Sequence, residues 1–366
     1  MTKRPQPAPA IFTPPVFRPR PKYTPTAASP PEYHDHTMEN GRRYRGHKDE
    51  FPWPNDDEAL KSYSWLNTTW TYLLEAEGQS LISAPVVLHK GTKVLDCGAR
   101  GTTWMYDINE KYAGTRIAVI DPGCAWLWPA FVTVHHELEG EWPFTARQSF
   151  HYIRGFALGG MIADYDGLYR NAYKHLLPGG WFEVRDHDLQ FFVDTQGGDE
   201  EKEGTGSEGT EGKLVLLRRW EKLMAEAAEK FGKPINMGGK HKEMMEQAGF
   251  TDVHEKVFQI PFGDWKGGKP WEHVRDSYIL HMRHGLEGYT LRLFTKTLGW
   301  SLEDTRTFIR ELQAEISEPK LEHLRLYSLF RVVYGKKPKS ASRKPEDATL
   351  KSERATQDTD NAANRS

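Results

Sequence analysis

The chain has 366 residues, 38% of them hydrophobic, enough for one large domain or two ordinary ones. A net charge of −2 argues against a globally basic nucleic-acid binder, and two cysteines, Cys97 and Cys124, provide neither a disulfide framework nor a structural zinc set. No apolar run approaches the ~18 residues of a membrane span and no signal-peptide pattern is visible, so a soluble protein of the cytoplasm or nucleus is expected.

Residues 1–40 are rich in proline and are expected to be extended and disordered. Residues 55–90 read as one or two helices leading into a domain spanning 41–336. "KVLDCG" (93–98) is a short buried strand ending in glycine, and a helix follows over 102–114, with Trp104, Ile108 and Tyr112 on one face. "RIAVID" (116–121) is the second strand, "AFVTVH" (130–135) the third and "SFHYIRG" (149–155) the fourth. An amphipathic helix over 159–176 stops at "LPGG", and "WFEVRD" (181–186) is the next strand. The run 194–212 is glycine-rich and acidic with no apolar anchor, which predicts a disordered insertion. Helices are expected at 213–232, 240–250, 271–285, 288–299 and 301–316, with strands at 252–263 and 324–337. The tail, 337–366, is polar and expected to be disordered. Its start, "KKPKSASRK" (336–344), fits either a nuclear import signal or a solvated basic edge. Strand–helix alternation of this kind means an open α/β sheet with helices on both faces.

In such a sheet, ligands bind outside the carboxyl ends of the strands, beside the first strand. The sequence brings four features there. Gly98 and Gly101 in "DCGARG" allow a tight turn into a helix N-terminus. Asp121 ends the second strand, where a carboxylate accepts hydrogen bonds from ribose hydroxyls. The polar loop "HHELEGEW" (135–142) follows the third strand, and "IRGFA" (153–157) leaves the fourth. The pattern alone suits a dinucleotide or S-adenosylmethionine, although the missing third glycine of G-x-G-x-x-G counts against a dehydrogenase.

The run from "VLDCG" through "YIRGFALGGMIADYDGLYRNAYKHLLPGGWFEVRD", then "MMEQAGFTDVHEKVFQIPFGDW" and "LEGYTLRLFTKTLGWS", resembles the LaeA-like fungal methyltransferases. The resemblance covers roughly 55–337 and implies a class I, Rossmann-like sheet of seven mostly parallel strands, the last inserted antiparallel, with an added helical region at 265–318 on the substrate side. It implies S-adenosyl-L-methionine as cofactor, with Asp96 and Gly98 in the glycine motif, Asp121 at the ribose, Glu137 and Leu138 near the adenine, and Arg154 and Gly155 beside the methionine end. It also implies a role in secondary metabolism or development, in some members with a velvet-type protein partner; others resemble small-molecule tailoring enzymes.

The sequence departs from the family's Gly-x-Gly-x-Gly at Arg100 and Thr102. An arginine at positive φ costs about 1 kcal/mol. Near a sulfonium its charge repels; aimed at the cofactor's carboxylate it pairs. An active methyltransferase and a weakly active or inactive scaffold in a regulatory complex are therefore both compatible with the sequence. His187 and Glu183 are the nearest candidate bases. His281 and His284 lie three apart on an expected helix, but with no third ligand pattern they read as surface histidines rather than a metal pair. "HHE" (135–137) lacks the H-E-x-x-H gap, Trp126 and Trp128 read as packing, and Cys97 reads as core.

Overall fold

Five strand segments supply the parallel part of one seven-stranded sheet. They are β3 (Lys93–Cys97), β4 (Arg116–Ile120), β5 (Val132–Val134), β6 (Phe150–Phe156) and β7 (Leu176–Val193). With β8 (Thr251–Pro261) and β9 (Leu326–Lys336) the spatial order is β5-β4-β3-β6-β7-β9-β8. Neighbours from β5 to β7 pair parallel, whereas β9 runs antiparallel to both β7 and β8. This is the class I methyltransferase topology expected from the resemblance, including the inserted antiparallel last strand. The computed structural model describes residues 36–45, 51–100, 103–121, 132–134, 138–145, 149–194, 214–317 and 324–339. The acidic run from 195, the tail from 340, Cys124, Trp126, Trp128 and "HHE" lie outside the described residues.

The helices are α1 (Asp57–Ala76), α2 (Thr103–Lys111), α3 (Tyr165–His175), α4 (Val215–Phe231), α5 (His241–Gln247), α6 (Lys269–Arg292) and α7 (Leu302–Ile316). Local chemistry sets their ends. The Asp56 side chain accepts from Ala59 N–H at the start of α1, and Ser301 accepts from Asp304 N–H at the start of α7. Gly232 closes α4 in the left-handed conformation. Helix α3 starts at 165 rather than 159, because Asp164 caps it by accepting from Gly167 N–H. Cys97 is buried in the core, as expected.

Three further expectations change. The two helices at 271–285 and 288–299 are one helix, α6, followed by a π-turn at Leu293–Thr297. Gly285 and Gly288 do not break it. They are close-approach positions, where a Cβ on Gly285 would collide with Ser62 Oγ and one on Gly288 would crowd Pro54 and Arg42. The extended segment predicted through residue 40 instead ends in a hairpin, β1 (His36–Glu39) and β2 (Arg42–Arg45). Asn40 and Gly41 both take positive φ, 52° and 81°, as a two-residue hairpin turn demands. The tail is ordered through its first residues: Lys337 Nζ donates to the carbonyls of Tyr173 and Leu176 at 2.7 and 2.8 Å.

The hairpin docks on the helical region. Arg292 pairs with Glu39 at 2.9 Å and Arg306 donates to the Asn40 carbonyl at 2.9 Å. Downstream of it, Trp53 crosses the cleft at the sheet's carboxyl edge. Its indole N–H donates to the Gly159 carbonyl at 3.2 Å, and its ring lies where a Cβ on Gly160 would sit.

Candidate functional site

The turn after β3 is built around the approach of two backbones. Gly98 has φ 73°, and a Cβ there would lie 2.9 Å from the Phe156 carbonyl oxygen at the end of β6. Arg100 also enters the left-handed region, at φ 33°, which costs a non-glycine residue about 1 kcal/mol. Its backbone N–H donates to Asp121 Oδ2 at 2.9 Å, so the loop folds onto the acid at the tip of β4. The expected convergence of glycine turn and acid is present.

The Arg100 side chain turns inward and is only 7% exposed. Its guanidinium lies 4.6 Å from the centre of the Tyr63 ring, its Nη1 donates to the Tyr63 hydroxyl, and its Nη2 is buried with no hydrogen-bond partner among the described residues. Arg100 and Tyr63 thereby divide the cleft. On one side is a cavity of about 30 Å³ bounded by Asp121, Arg45, Trp53 and Asn55. On the other is one of about 10 Å³ bounded by Asp186, His187, Asn236 and Tyr289. Both are small beside the roughly 300–1,000 Å³ of a ligand pocket, so among the described residues Arg100 and Tyr63 fill most of the space between Asp121 and Asp186.

The remaining predicted residues divide into three groups. Asp96 and Arg154 face each other at 3.1 Å, both wholly buried. Arg154 also donates to Asn67 Oδ1 at 3.0 Å and lies between Phe156 and Trp104, 4.1 and 4.4 Å from their ring centres. Burial raises the Asp96 carboxyl to about 6, against the opposing pull of Arg154. Gly155 packs beneath Leu158, where a Cβ would lie 2.9 Å from Leu158 Cδ1, and Leu138 is buried beside Gly98. Gly101 and Glu137 lie outside the described residues.

The two candidate bases have different surroundings. Glu183 is a structural anchor, accepting from the Ser83 and Ala84 N–H groups at 2.9 and 2.7 Å and from Arg185 at 2.6 Å. His187 is buried against the second cavity, and neither ring nitrogen has a hydrogen-bond partner among the described residues. Burial lowers its pKa to about 4, aided by the nearby Arg100 charge and opposed by Asp186, so the ring is neutral at pH 7. Asp186 is engaged elsewhere, accepting from the His187 N–H at 3.0 Å and lying 3.1 Å from His241 Nε2.

His281, expected at the surface, is instead wholly buried. It contacts Ser62 Oγ at 2.9 Å and the Tyr289 hydroxyl at 3.2 Å, and these polar partners make its burial tolerable. His284 stays on the outer face, 3.0 Å from Glu58. Tyr63, Trp53 and Tyr289 were missed as site residues: nothing in the sequence distinguishes them from core aromatics.

With that geometry in hand, the relatives carry weight. Over 283 residues the chain is 26% identical to the methyltransferase pytC of Aspergillus terreus, covering 74% of this chain and 81% of that protein. Over 331 residues it is 24% identical to the secondary metabolism regulator laeA of Aspergillus fumisynnematus, covering 87% of this chain and 81% of that one. The chain is thus similar both to fungal methyltransferases and to LaeA secondary metabolism regulators. No family model matches it. Among solved structures, it aligns with phosphoethanolamine N-methyltransferase 2 of Haemonchus contortus in complex with S-adenosyl-L-methionine. That match has 14% identity and a TM-score of 0.39, over 76% of this chain and 57% of that one. The similarity to these proteins and the strand order agree on a class I methyltransferase fold, and Arg100 occupies the turn after its first parallel strand. No described helix is long and apolar enough to cross a membrane.

Proposed function

We propose that the chain is an S-adenosylmethionine-dependent methyltransferase that binds its cofactor over the Gly98 turn. The observation that carries this reading is Asp121 at the tip of β4, drawn against that turn by the Arg100 N–H. The donor set fits the molecule chemically. Asp121 would take the ribose hydroxyls, and Gly98 leaves backbone where a side chain would meet Phe156. The unpartnered Nη2 of Arg100 would pair with the amino-acid carboxylate, once the guanidinium leaves Tyr63. Leu138, with Glu137, would lie at the adenine. Asp96, Arg154 and Gly155 support the floor of the site from below. The cofactor supplies an electrophilic methyl on a sulfonium; the chain supplies position and water exclusion, for which the Trp53 strap is placed.

A second reading, a regulatory protein with little catalysis acting beside a velvet-type partner in the nucleus or cytoplasm, is favoured by one observation: the closure of the cleft by Arg100 and Tyr63. Calorimetric titration of the full chain with S-adenosylmethionine and S-adenosylhomocysteine, repeated with Asp121→Ala, tests both. The methyltransferase reading expects micromolar binding that weakens at least tenfold in the variant. No binding at millimolar ligand favours the regulatory reading, and binding indifferent to Asp121→Ala overturns the site assignment.

A further inference from the structure

Helix α6 meets the loop after β8 and the last turn of α7 around a cavity of about 680 Å³. That is the size of a small-molecule pocket, roughly 300–1,000 Å³. It shares no lining residue with the two small cavities beside Arg100. His281 and Gly285 press on α1 from a different flank of the same helix. We propose that this cavity binds an elongated amphiphilic anion, its apolar body along α6 and its charged end at Arg283. The proposal is independent of the cofactor reading, and the binding it describes requires no S-adenosyl ligand.

The helix repeat sets the shape of the site. Arg275, Ile279, Met282 and Leu286 recur every three or four residues and so form one stripe along α6. From Arg275 to Leu286 the helix rises about 16 Å, so a ligand following the stripe is long rather than compact. Met282 and Leu286 are each 1% exposed, and half-buried Phe262 and Ile316 line the cavity from the other two elements. Apolar side chains from three elements call for an apolar ligand body. The described residues bounding the cavity number eleven. A protein interface engages roughly 20–30 residues a side, so the size favours a small molecule.

The rim sets the sign of the charge. Arg275 is engaged by Asp264 and Asp276, at 2.6 and 2.9 Å. Arg283 makes no hydrogen bond or ion pair among the described residues. Its helical neighbour Glu287, four residues on, turns instead to Arg42 and Arg306, each at 3.5 Å. One exposed guanidinium is therefore left beside an apolar floor with its charge uncompensated. An anionic end pairs with it while the ligand body leaves water. An ammonium end would meet two arginines, and an uncharged end would forgo the pairing.

The test is titration of the full chain with four decyl-chain probes below their micelle concentrations: decanoate, decyl sulfate, decanol and decyltrimethylammonium. Methionine ¹³C-methyl labelling reports the site, with the Met282 signal assigned through Met282→Leu. One equivalent of either anion is expected to shift the Met282 methyl. Each anion should bind about fivefold more tightly than decanol, the worth of one exposed ion pair, with the cation weakest. Arg283→Lys should keep that order, and Arg283→Glu should reverse it and make the cation the tightest. Ile279→Trp fills the stripe and should weaken all four probes at least tenfold while the far-ultraviolet dichroism is unchanged. If that variant misfolds, the reversal in Arg283→Glu still decides. Decanol or the cation binding as tightly as the anions, or an order that Arg283→Glu leaves alone, overturns the proposal. So does a Met282 methyl that no probe moves, which would mean that another stretch of the chain or a second copy fills the cavity.

Discussion

Replacing Arg100 by glycine separates the two roles proposed for it, closing the cleft and gripping a carboxylate. The variant removes a left-handed non-glycine residue, a relief of about 1 kcal/mol. It also removes a buried Nη2 without a partner, worth roughly 1–3 kcal/mol. Against this, it loses a charge-assisted bond to the Tyr63 hydroxyl, about 1.5–3 kcal/mol, and a cation–π contact worth up to about 2 kcal/mol. The terms offset, so urea denaturation should find Arg100→Gly within about 2 kcal/mol of the wild type. Ligand binding should split. S-adenosylhomocysteine carries the carboxylate and should weaken about tenfold to a hundredfold, the worth of one charged hydrogen bond. 5′-Methylthioadenosine lacks that group and should bind unchanged or more tightly as the cleft opens. Calorimetry on both ligands reads the difference directly. If both ligands tighten equally, Arg100 is only a plug, and the carboxylate assignment is wrong.

Three further outcomes follow from the same geometry. Gly98→Ala adds a methyl against the Phe156 carbonyl at a positive φ; it should lose about 1–3 kcal/mol of stability in urea titration and abolish S-adenosylhomocysteine binding. Equal stability would show that the turn is softer than described. Glu183→Gln leaves Arg185 buried without its carboxylate and should cost roughly 3–5 kcal/mol, while ligand affinity in the folded fraction is unchanged; a selective loss of turnover would instead make Glu183 the base. The pH dependence of stability should be steep on the acid side. Burial lowers His187 to about 4 and His281 to about 3, so each folded ring binds its proton more weakly than the unfolded chain does. Their stabilisation is whole above about pH 6.5 and is lost as pH falls through those values, about 2 kcal/mol per ring by pH 5. His187→Leu should lessen the loss of stability between pH 7 and 5 by about 2 kcal/mol, and an unchanged loss would refute this assignment.

The parallel strands were legible because burial on both faces leaves short apolar runs bounded by glycine, as in "KVLDCG" and "RIAVID". The tips of those strands alone bring Gly98 and Asp121 together. The hairpin at 36–45 was legible in principle, since Asn40-Gly41 is a strong turn signal, but the proline-rich sequence before it masked it. Other features were not legible. Gly285 and Gly288 look like helix breakers unless Ser62 and Arg42 are known to press on them from distant segments. His281 looks exposed unless its partner Ser62, far away in sequence, is seen. Tyr63 belongs to an ordinary amphipathic helix, and only tertiary packing sets it opposite Arg100. Asp96 and Arg154 were both visible as site residues, but their pairing with each other depends on the register of β3 against β6.

The two halves of the partition differ in what they can do over time. Tyr63 is fixed through its neighbour: Ser62 donates to the His281 carbonyl at 3.0 Å, and Tyr289 packs edge-on to the Tyr63 ring while reaching the same histidine. Moving Tyr63 means sliding α1 against α6, a collective motion of microseconds or longer. Arg100 hangs on a flexible stem from a glycine-flanked turn and is held to Tyr63 by a single hydrogen bond and a ring face. The part that yields is the arginine, by a side-chain rotation that needs no rearrangement of the helices. On the proposed cofactor reading, ligand capture is gated by one residue's rotamers, and its rate should follow diffusion and ionic strength rather than the slow opening of a lid.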